Sequence, residues 1–411
     1  MEVNTLDVSL LRSTYNGILV ANNAGLIYNC HIRGDDAKLN TSGNRLDVVE
    51  GKFTISNTTP TEDDKYYIGG IAGITTDQKE LTKILTLGSE NPIYLYKQGY
   101  IGRIENCTNM LDLKVYNQNG NYEVAVGGIV GYLSNGYIVG CTNGSSSVVS
   151  GANSGAISGY YAGGIAGSSV GAAFDKESDE STDGYTKQQY YSYIYGCRNF
   201  ATINTQVLVG ENESPESASE AGGIVGLMGY SYVTFCINYG TITTDGAAAI
   251  MGGICGAAGV GAYIANTMNA GMIRYNEYYN SQQLCYAIGG ALCGAVGDGG
   301  NLILYNSATN SGCIVRNNAD GTQTISSNYF TELGGVIFGN LYTSQNGGLD
   351  KETLENLQSQ AYINDPSITV DGSVITTCYP NIDGLYPRFA FDETAKEWTI
   401  EWTTQHVDSS D

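Results

Sequence analysis

Through most of the chain, apolar and polar residues alternate in short runs cut by glycine, and the helical period of about 3.6 residues is absent. The clearest run is residues 128–141, GIVGYLSNGYIVGC, which packs small and β-branched residues tightly and closes on a cysteine. The pattern returns at the same length in residues 17–30, GILVANNAGLIYNC, and 223–236, GIVGLMGYSYVTFC, with weaker copies starting at Gly164, Gly253, Gly290 and Gly335. Each copy reads as three short strands: the GGIVG segment, a G-x-I-x-x-C segment, and a segment ending in Ile that follows an Asn-x-Gly corner. Thus Cys236, Asn238, Gly240 and Ile242 correspond to Thr267, Asn269, Gly271 and Ile273. Asn tolerates left-handed backbone and Gly removes the Cβ clash, so this corner reads as turn chemistry. Asn109, Asn143, Asn199, Asn238 and Asn269 share one place in the unit, and stacking would let their amides bond along a column.

Repetition of a unit too small to bury its own apolar face is the signature of a stacked array. Short strands with small inward residues predict an all-β fold: a right-handed parallel β-helix (solenoid) of irregular repeats with a small C-terminal cap. A propeller blade needs about 40 to 45 residues, and the step from Gly222 to Gly252 is too short for one. The solenoid is expected over residues 1–345. Insertions at 75–100 and 171–190 fall between the first and second strands, and those at 35–66, 205–220 and 316–332 after the third, where they are expected along one edge. Residues 346–411 read as a helix and cap: Asp350 is an N-cap, and Leu349 with Leu354 forms a hydrophobic staple for a helix over 351–360. A cap covers the open strand edges of a last rung.

Composition fits this picture. Of 411 residues, 55 are Gly and 32 are Tyr, against 6 Pro and 19 Lys+Arg, a strand-and-turn profile. The net charge of −22 argues against nucleic acid and anionic membranes, both of which are bound through Lys and Arg. The uncharged stretch 247–265 is rich in Gly and Ala rather than Leu and keeps the repeat frame, so it reads as a buried solenoid turn rather than a membrane insertion. The N-terminus shows no basic segment followed by an apolar run. Cys30, Cys107, Cys141, Cys197 and Cys236 share one repeat position with Thr267 and Ser307. A place open to Cys, Thr and Ser wants a small inward side chain, so these thiols are expected buried, stacked and unbonded, and Cys255 and Cys293 likewise behave as small hydrophobes. No CxxC or paired Cys/His spacing suggests zinc.

Candidate chemistry is sparse. His31 and His406 lie at opposite ends of the chain, so no Ser/His or Cys/His pair can be assembled. Asp35-Asp36 and Asp63-Asp64 are carboxylate pairs of the kind glycosidases use, but both sit in insertions. The acidic segment from Phe174 puts Glu180 where a calcium loop needs Gly and lacks the closing Glu, so it reads as solvated loop, like the one from Glu211. The aromatic pattern is stronger. Tyr137, Tyr193, Tyr232 and Tyr263 each precede an inward residue, Ile138, Ile194, Val233 or Ile264, and occupy successive copies. Alternation points all four outward. They read either as a stabilising ladder or as a ligand-binding platform exposed to solvent.

The GGI-A/V-G repeats followed by G-x-I-x-x-C-x-N-x-G-x-I resemble the GLUG-motif family of large bacterial surface and secreted proteins, some adhesin-like and some immunoglobulin A peptidases. The resemblance covers about residues 17–342 and is carried by Gly128, Ile129, Val130, Gly131 and their equivalents. The helix before Tyr386-Pro387 also resembles the way such proteins end. It implies an extracellular or cell-surface β-solenoid whose motif has no catalytic role. The peptidases of that family use a zinc HExxH segment outside the repeats, and this chain contains none. The expectation is therefore a non-enzymatic, secreted or surface-anchored protein without cofactor or metal, presenting a face to a glycan or a host or cell-surface protein. A carbohydrate-active β-helix enzyme, lyase or hydrolase, is the alternative, and a structural spacer in a larger surface protein is a third.

Overall fold

The computed structural model describes residues 6–10, 14–32, 50–55, 65–76, 102–117, 124–145, 157–171, 191–205, 218–244, 249–276, 278–279, 284–285, 287–297, 301–309, 312–318, 320–326, 340–348, 367–370, 373–376, 386–392 and 397–403. Among them every regular element is a strand, and the repeats stack as parallel strands into a β-helix. One coil runs through Val124–Gly127 in a sheet termed B, Val130–Ser134 in sheet C, Tyr137–Val139 and Thr142–Asn143 in sheet D, and Ile157–Gly159 in sheet A. Among the described residues sheets B and C have seven strands each, and sheet D continues one strand further, with Asn340–Gly348 stacked parallel on Asn301–Thr309.

The three-strand reading is therefore corrected to five short strands in four sheets. The GGIVG segment is a corner, with sheet B ending at Gly127 and sheet C starting at Val130. A second corner breaks sheet D before the cysteine, where Asn29, Asn106, Gly140, Gly196, Phe235 and Asn266 take left-handed backbone. The column asparagines end strands such as Thr108–Asn109 and make the Asn-x-Gly corner into sheet A, Asn238 Oδ1 accepting from Gly240 N–H at 3.0 Å and Asn269 Oδ1 from Gly271 N–H at 3.1 Å. The structure also adds a repeat copy at Tyr66–Gly69 and Ala72–Thr76.

Two apolar cores run along the stack. One lies between sheets C and D, around Val130, Leu133, Ile138 and their equivalents. The other lies between A and B, around Val126, Ile157 and theirs. Between them is a waist. There the buried asparagines donate along the column, Asn109 to Asn143 at 2.9 Å, Asn143 to Asn199 at 3.0 Å, Asn199 to Asn238 at 2.8 Å and Asn238 to Asn269 at 2.9 Å. The second glycine of each GG pair faces this ladder: a Cβ on Gly128 would lie 2.3 Å from Asn143 Cγ, and one on Gly164 2.4 Å from Asn199 Cγ. The two residue types change together. In the first rung Ile32 takes the Asn place and Ile18 the Gly place, and in the seventh they are Thr309 and Ala291. Gly164→Ala should cost about 3 kcal/mol or more, because the new Cβ meets Gly223 O at 2.2 Å as well. Gly297→Ala, with Ala258 O at 3.7 Å as its nearest neighbour, should be nearly neutral. Urea denaturation of both variants checks this.

Cys107, Cys141, Cys197 and Cys236 are buried and unbonded, as their shared position suggested, and Cys30, Cys255, Cys293 and Cys313 are free as well. Each thiol also takes part in hydrogen bonding. Cys30 N–H donates to Cys107 Sγ and Cys107 N–H to Cys141 Sγ, both at 3.4 Å, and the thiols donate to carbonyls two residues back, as Cys197 does to Tyr195 O at 3.3 Å. Thr267 N–H donates to Ser307 Oγ at 3.4 Å in the same way, so the position selects a small side chain that both donates and accepts. Burial raises the pKa of Cys141 and of Cys197 well above the ordinary 9.0. A pKa raised on folding contributes stability below the unfolded value, and that contribution is lost as pH climbs past it. Native protein at neutral pH should therefore leave Cys107, Cys141, Cys197 and Cys236 unlabelled by a thiol reagent, and stability should fall as pH rises above 9. Mass mapping and denaturation at rising pH test the two statements.

Several expectations change. Residues 35–66 are not one insertion: Glu50–Ile55 lies between Leu6–Leu10 and Asp112–Asn117 in sheet A, because a parallel stack needs a strand there in every coil. In 316–332, Ile314–Asn317 and Gln323–Ser326 form an antiparallel hairpin. Residues 77–101 and 172–190 connect sheet C to sheet D, and 206–217 connect A to B. These connections, the helix over 351–360 and the start of the copy at Gly335 lie outside the described residues, while the strand Asn340–Gly348 of that copy stacks parallel on Asn301–Thr309 in sheet D. Tyr386–Asp392 and Glu397–Thr403 form an antiparallel hairpin in the segment read as a cap. The stretch 247–265 holds the strands Ala249–Gly252, Cys255–Ala258 and Ala262–Ala265. Among the described residues no helix is long and apolar enough to cross a membrane.

Candidate binding face

Sheet D places the four tyrosines in register on successive rungs. Their inward neighbours Ile138, Ile194, Val233 and Ile264 are fully buried, as alternation requires. Backbone pairing sets neighbouring rungs about 4.8 Å apart, which is also the distance at which aromatic rings stack. The rings do so: Tyr137 and Tyr193 at 4.8 Å, Tyr193 and Tyr232 at 5.3 Å, Tyr232 and Tyr263 at 4.3 Å, all within 18° of parallel. The expected solvent exposure of all four is corrected. Tyr232 and Tyr263 are buried, each 7% exposed, while Tyr137 and Tyr193 are half-buried. Stacking covers the ring faces, and Tyr191 crosses the column 4.8 Å from Tyr232 and 5.9 Å from Tyr263. Burial raises the pKa of Tyr191. Arg103, in the same column, lies over the Tyr137 ring at 5.9 Å.

A second aromatic surface lies where sheets B and C meet. The third glycine of the motif lets sheet C lie against the outer side of sheet B: a Cβ on Gly131 would sit 2.3 Å from Ile68 N and 2.6 Å from Tyr67 C. The outer faces of the two sheets thus close into a cleft parallel to the stack. Ile288, next to the inward Ala287, points outward by alternation and is nonetheless buried. The outer column of sheet B reads Tyr15, Tyr67, Ala125, Tyr161, Glu220, and that of sheet C reads Ile74, Tyr132, Ser168, Leu227. Because Ala125 is small, the Tyr132 ring reaches over Tyr67 and stacks on it at 4.9 Å, and Tyr67 stacks in turn on Tyr15 at 5.5 Å. Ala125 and Ser168 leave a hollow of about 160 Å³ whose walls include Tyr67, Tyr132 and Tyr161, with Lys65, Val170 and Leu227 at its rim.

No protein-family model, no curated protein and no solved structure matches the chain.

The GLUG resemblance accordingly stands on its motif residues. Tyr67, Tyr132 and Tyr161 went unnoticed in the sequence because they are divided between two sheets and Ala125 interrupts the sheet B column that holds Tyr15, Tyr67 and Tyr161. The available signal was the small residues at Ala125 and Ser168, whose counterparts in neighbouring rungs are large. Asp35-Asp36, Asp63-Asp64, His406 and the acidic segment from Phe174 lie outside the described residues, and of the one from Glu211 only the end is described, where Ser219 and Glu220 open the sheet B strand Ser219–Gly222 rather than a solvated loop. His31 Nε2 hydrogen-bonds Asn29 Oδ1 at 3.1 Å on the surface, a local turn contact. Among the described residues no group of three or more His, Cys, Asp or Glu could hold a metal ion.

Proposed function

We propose that this is a non-enzymatic β-helix protein of the cell surface or extracellular space, adhesin-like, that presents its outer aromatic faces to a glycan or a protein. The observation that carries the reading is the alignment of half-buried tyrosines from successive rungs into rigid rows, on sheet D and again in the cleft between B and C. Tyrosine offers a large amphipathic contact at low conformational-entropy cost, and here the backbone ladder has already ordered the rings. Affinity in such a site comes from stacking and hydroxyl hydrogen bonds rather than charge, which agrees with a chain only 15% charged. The test is a screen of the full chain on glycan and extracellular-matrix protein arrays, beside a sheet D variant (Tyr137→Ala/Tyr193→Ala) and a cleft variant (Tyr132→Ala/Tyr161→Ala). Binding lost in one of the two variants is the expected result. No captured ligand, or equal capture by all three proteins, overturns the reading.

A further inference from the structure

We infer that the hollow between sheets B and C is a carbohydrate subsite that seats one neutral pyranose ring of an oligosaccharide. This inference rests on the binding reading above and adds the site and the ligand class. Size comes first: about 160 Å³ is well below the roughly 300–1,000 Å³ of sites for drug-sized ligands, and suits a single ring. The lining is equally selective. Phenol rings of Tyr67, Tyr132 and Tyr161, an aliphatic floor at Ala125 and the Ser168 hydroxyl match a ligand with flat C–H faces and a polar edge, which describes a pyranose. A peptide strand would need open backbone groups, yet the strands of this cleft are paired on both sides. That leaves side-chain stacking as the source of affinity. Charge also favours a neutral sugar over an acidic one, since the lining holds a single charged residue, Lys65, on a chain of net charge −22.

The walls are preorganised. Tyr67 is held between Tyr15 and Tyr132, and Tyr161 is braced edge-on by Tyr160 at 4.8 Å, so little rotamer freedom remains to be lost on binding. The hollow can also be filled without disturbing the fold. Ser168→Leu places in this rung the residue that the next rung already carries at the paired position, Leu227.

Calorimetric titration of the full chain with neutral tetrasaccharides of β-1,4-linked glucose, β-1,3-linked glucose, β-1,4-linked N-acetylglucosamine and β-1,4-linked mannose tests the inference, with tetragalacturonate as the acidic counterpart. At least one neutral probe should bind. Ser168→Leu and Tyr161→Ala should each weaken it tenfold or more, with circular dichroism unchanged for Ser168→Leu, and Gly297→Ala, which the fold accommodates and which does not line the hollow, should leave it within twofold. Absence of heat with every neutral probe at 10 mM, preference for tetragalacturonate, or equal affinity in Ser168→Leu overturns the subsite. A matrix protein captured on the arrays alongside silent sugars would sink this inference and leave the broader binding function standing.

Discussion

Asn199→Ala should be among the most damaging single substitutions in the protein, at a cost on the order of 4 kcal/mol. The Asn199 amide uses its full hydrogen-bonding capacity. Nδ2 donates to Asn238 Oδ1 at 2.8 Å and to Ala201 O at 3.0 Å, while Oδ1 accepts from Asn143 Nδ2 at 3.0 Å and from Ala201 N–H at 3.2 Å. Truncation strips a bond from each of these buried partners, and an orphaned buried group costs about 1–3 kcal/mol. Water cannot substitute, because the ladder lies against the glycine column at van der Waals distance. Asn199→Asp sharpens the test: a carboxylate cannot donate to Asn238 Oδ1 or Ala201 O, but a protonated carboxyl can donate one bond. Burial raises the folded pKa of such an acid, so the variant should be most stable in acid and weaken as pH climbs through the carboxyl range. Urea denaturation from pH 3 to 7 reads both effects, and an Asn199→Ala protein within 1 kcal/mol of wild type would refute the ladder's structural role.

Tyr232→Ala should cost about 3–4 kcal/mol, and Tyr137→Ala only about 1 kcal/mol. Tyr232 is sandwiched between Tyr193 and Tyr263 with Tyr191 across its edge, so its removal opens a cavity among rings that the backbone cannot move together to fill. Tyr137 sits at the end of the row, half-buried beside Arg103, and its loss exposes one ring face. The contrast separates two roles within one column: the buried pair Tyr232 and Tyr263 act as ladder, and the half-buried pair Tyr137 and Tyr193 remain available for contact. Equal costs at the two sites, read by urea denaturation, would show that stacking does not grade along the column.

The resemblance of the repeats to surface-protein motifs and the aromatic rows point to the same kind of protein by independent routes, one through glycine and asparagine, the other through tyrosine. Neither route names a ligand. The sugar class proposed for the cleft rests on two sheets, whose tyrosines are far apart in sequence, meeting at the Gly131 position and its equivalents.

Much of the fold was legible in the chain because a solenoid is built from short-range rules. The spacing of Gly, Ile, Cys and Asn determined the stack, the inward cysteines and the asparagine column, since residues at one place in the unit become neighbours in space whatever the loops between them do. Strand number per coil was less legible, because a corner made of Gly-Gly-Ile and a strand made of Gly-Ile-Val differ only in backbone angles that glycine leaves open. Exposure was not legible. Alternation sent Tyr232 and Tyr263 outward, and the tertiary structure buried both regardless, by stacking between rungs and under Tyr191. Sequence determines on which side of its own strand a side chain lies. Only the packing of neighbouring rungs and side chains decides whether that side faces water.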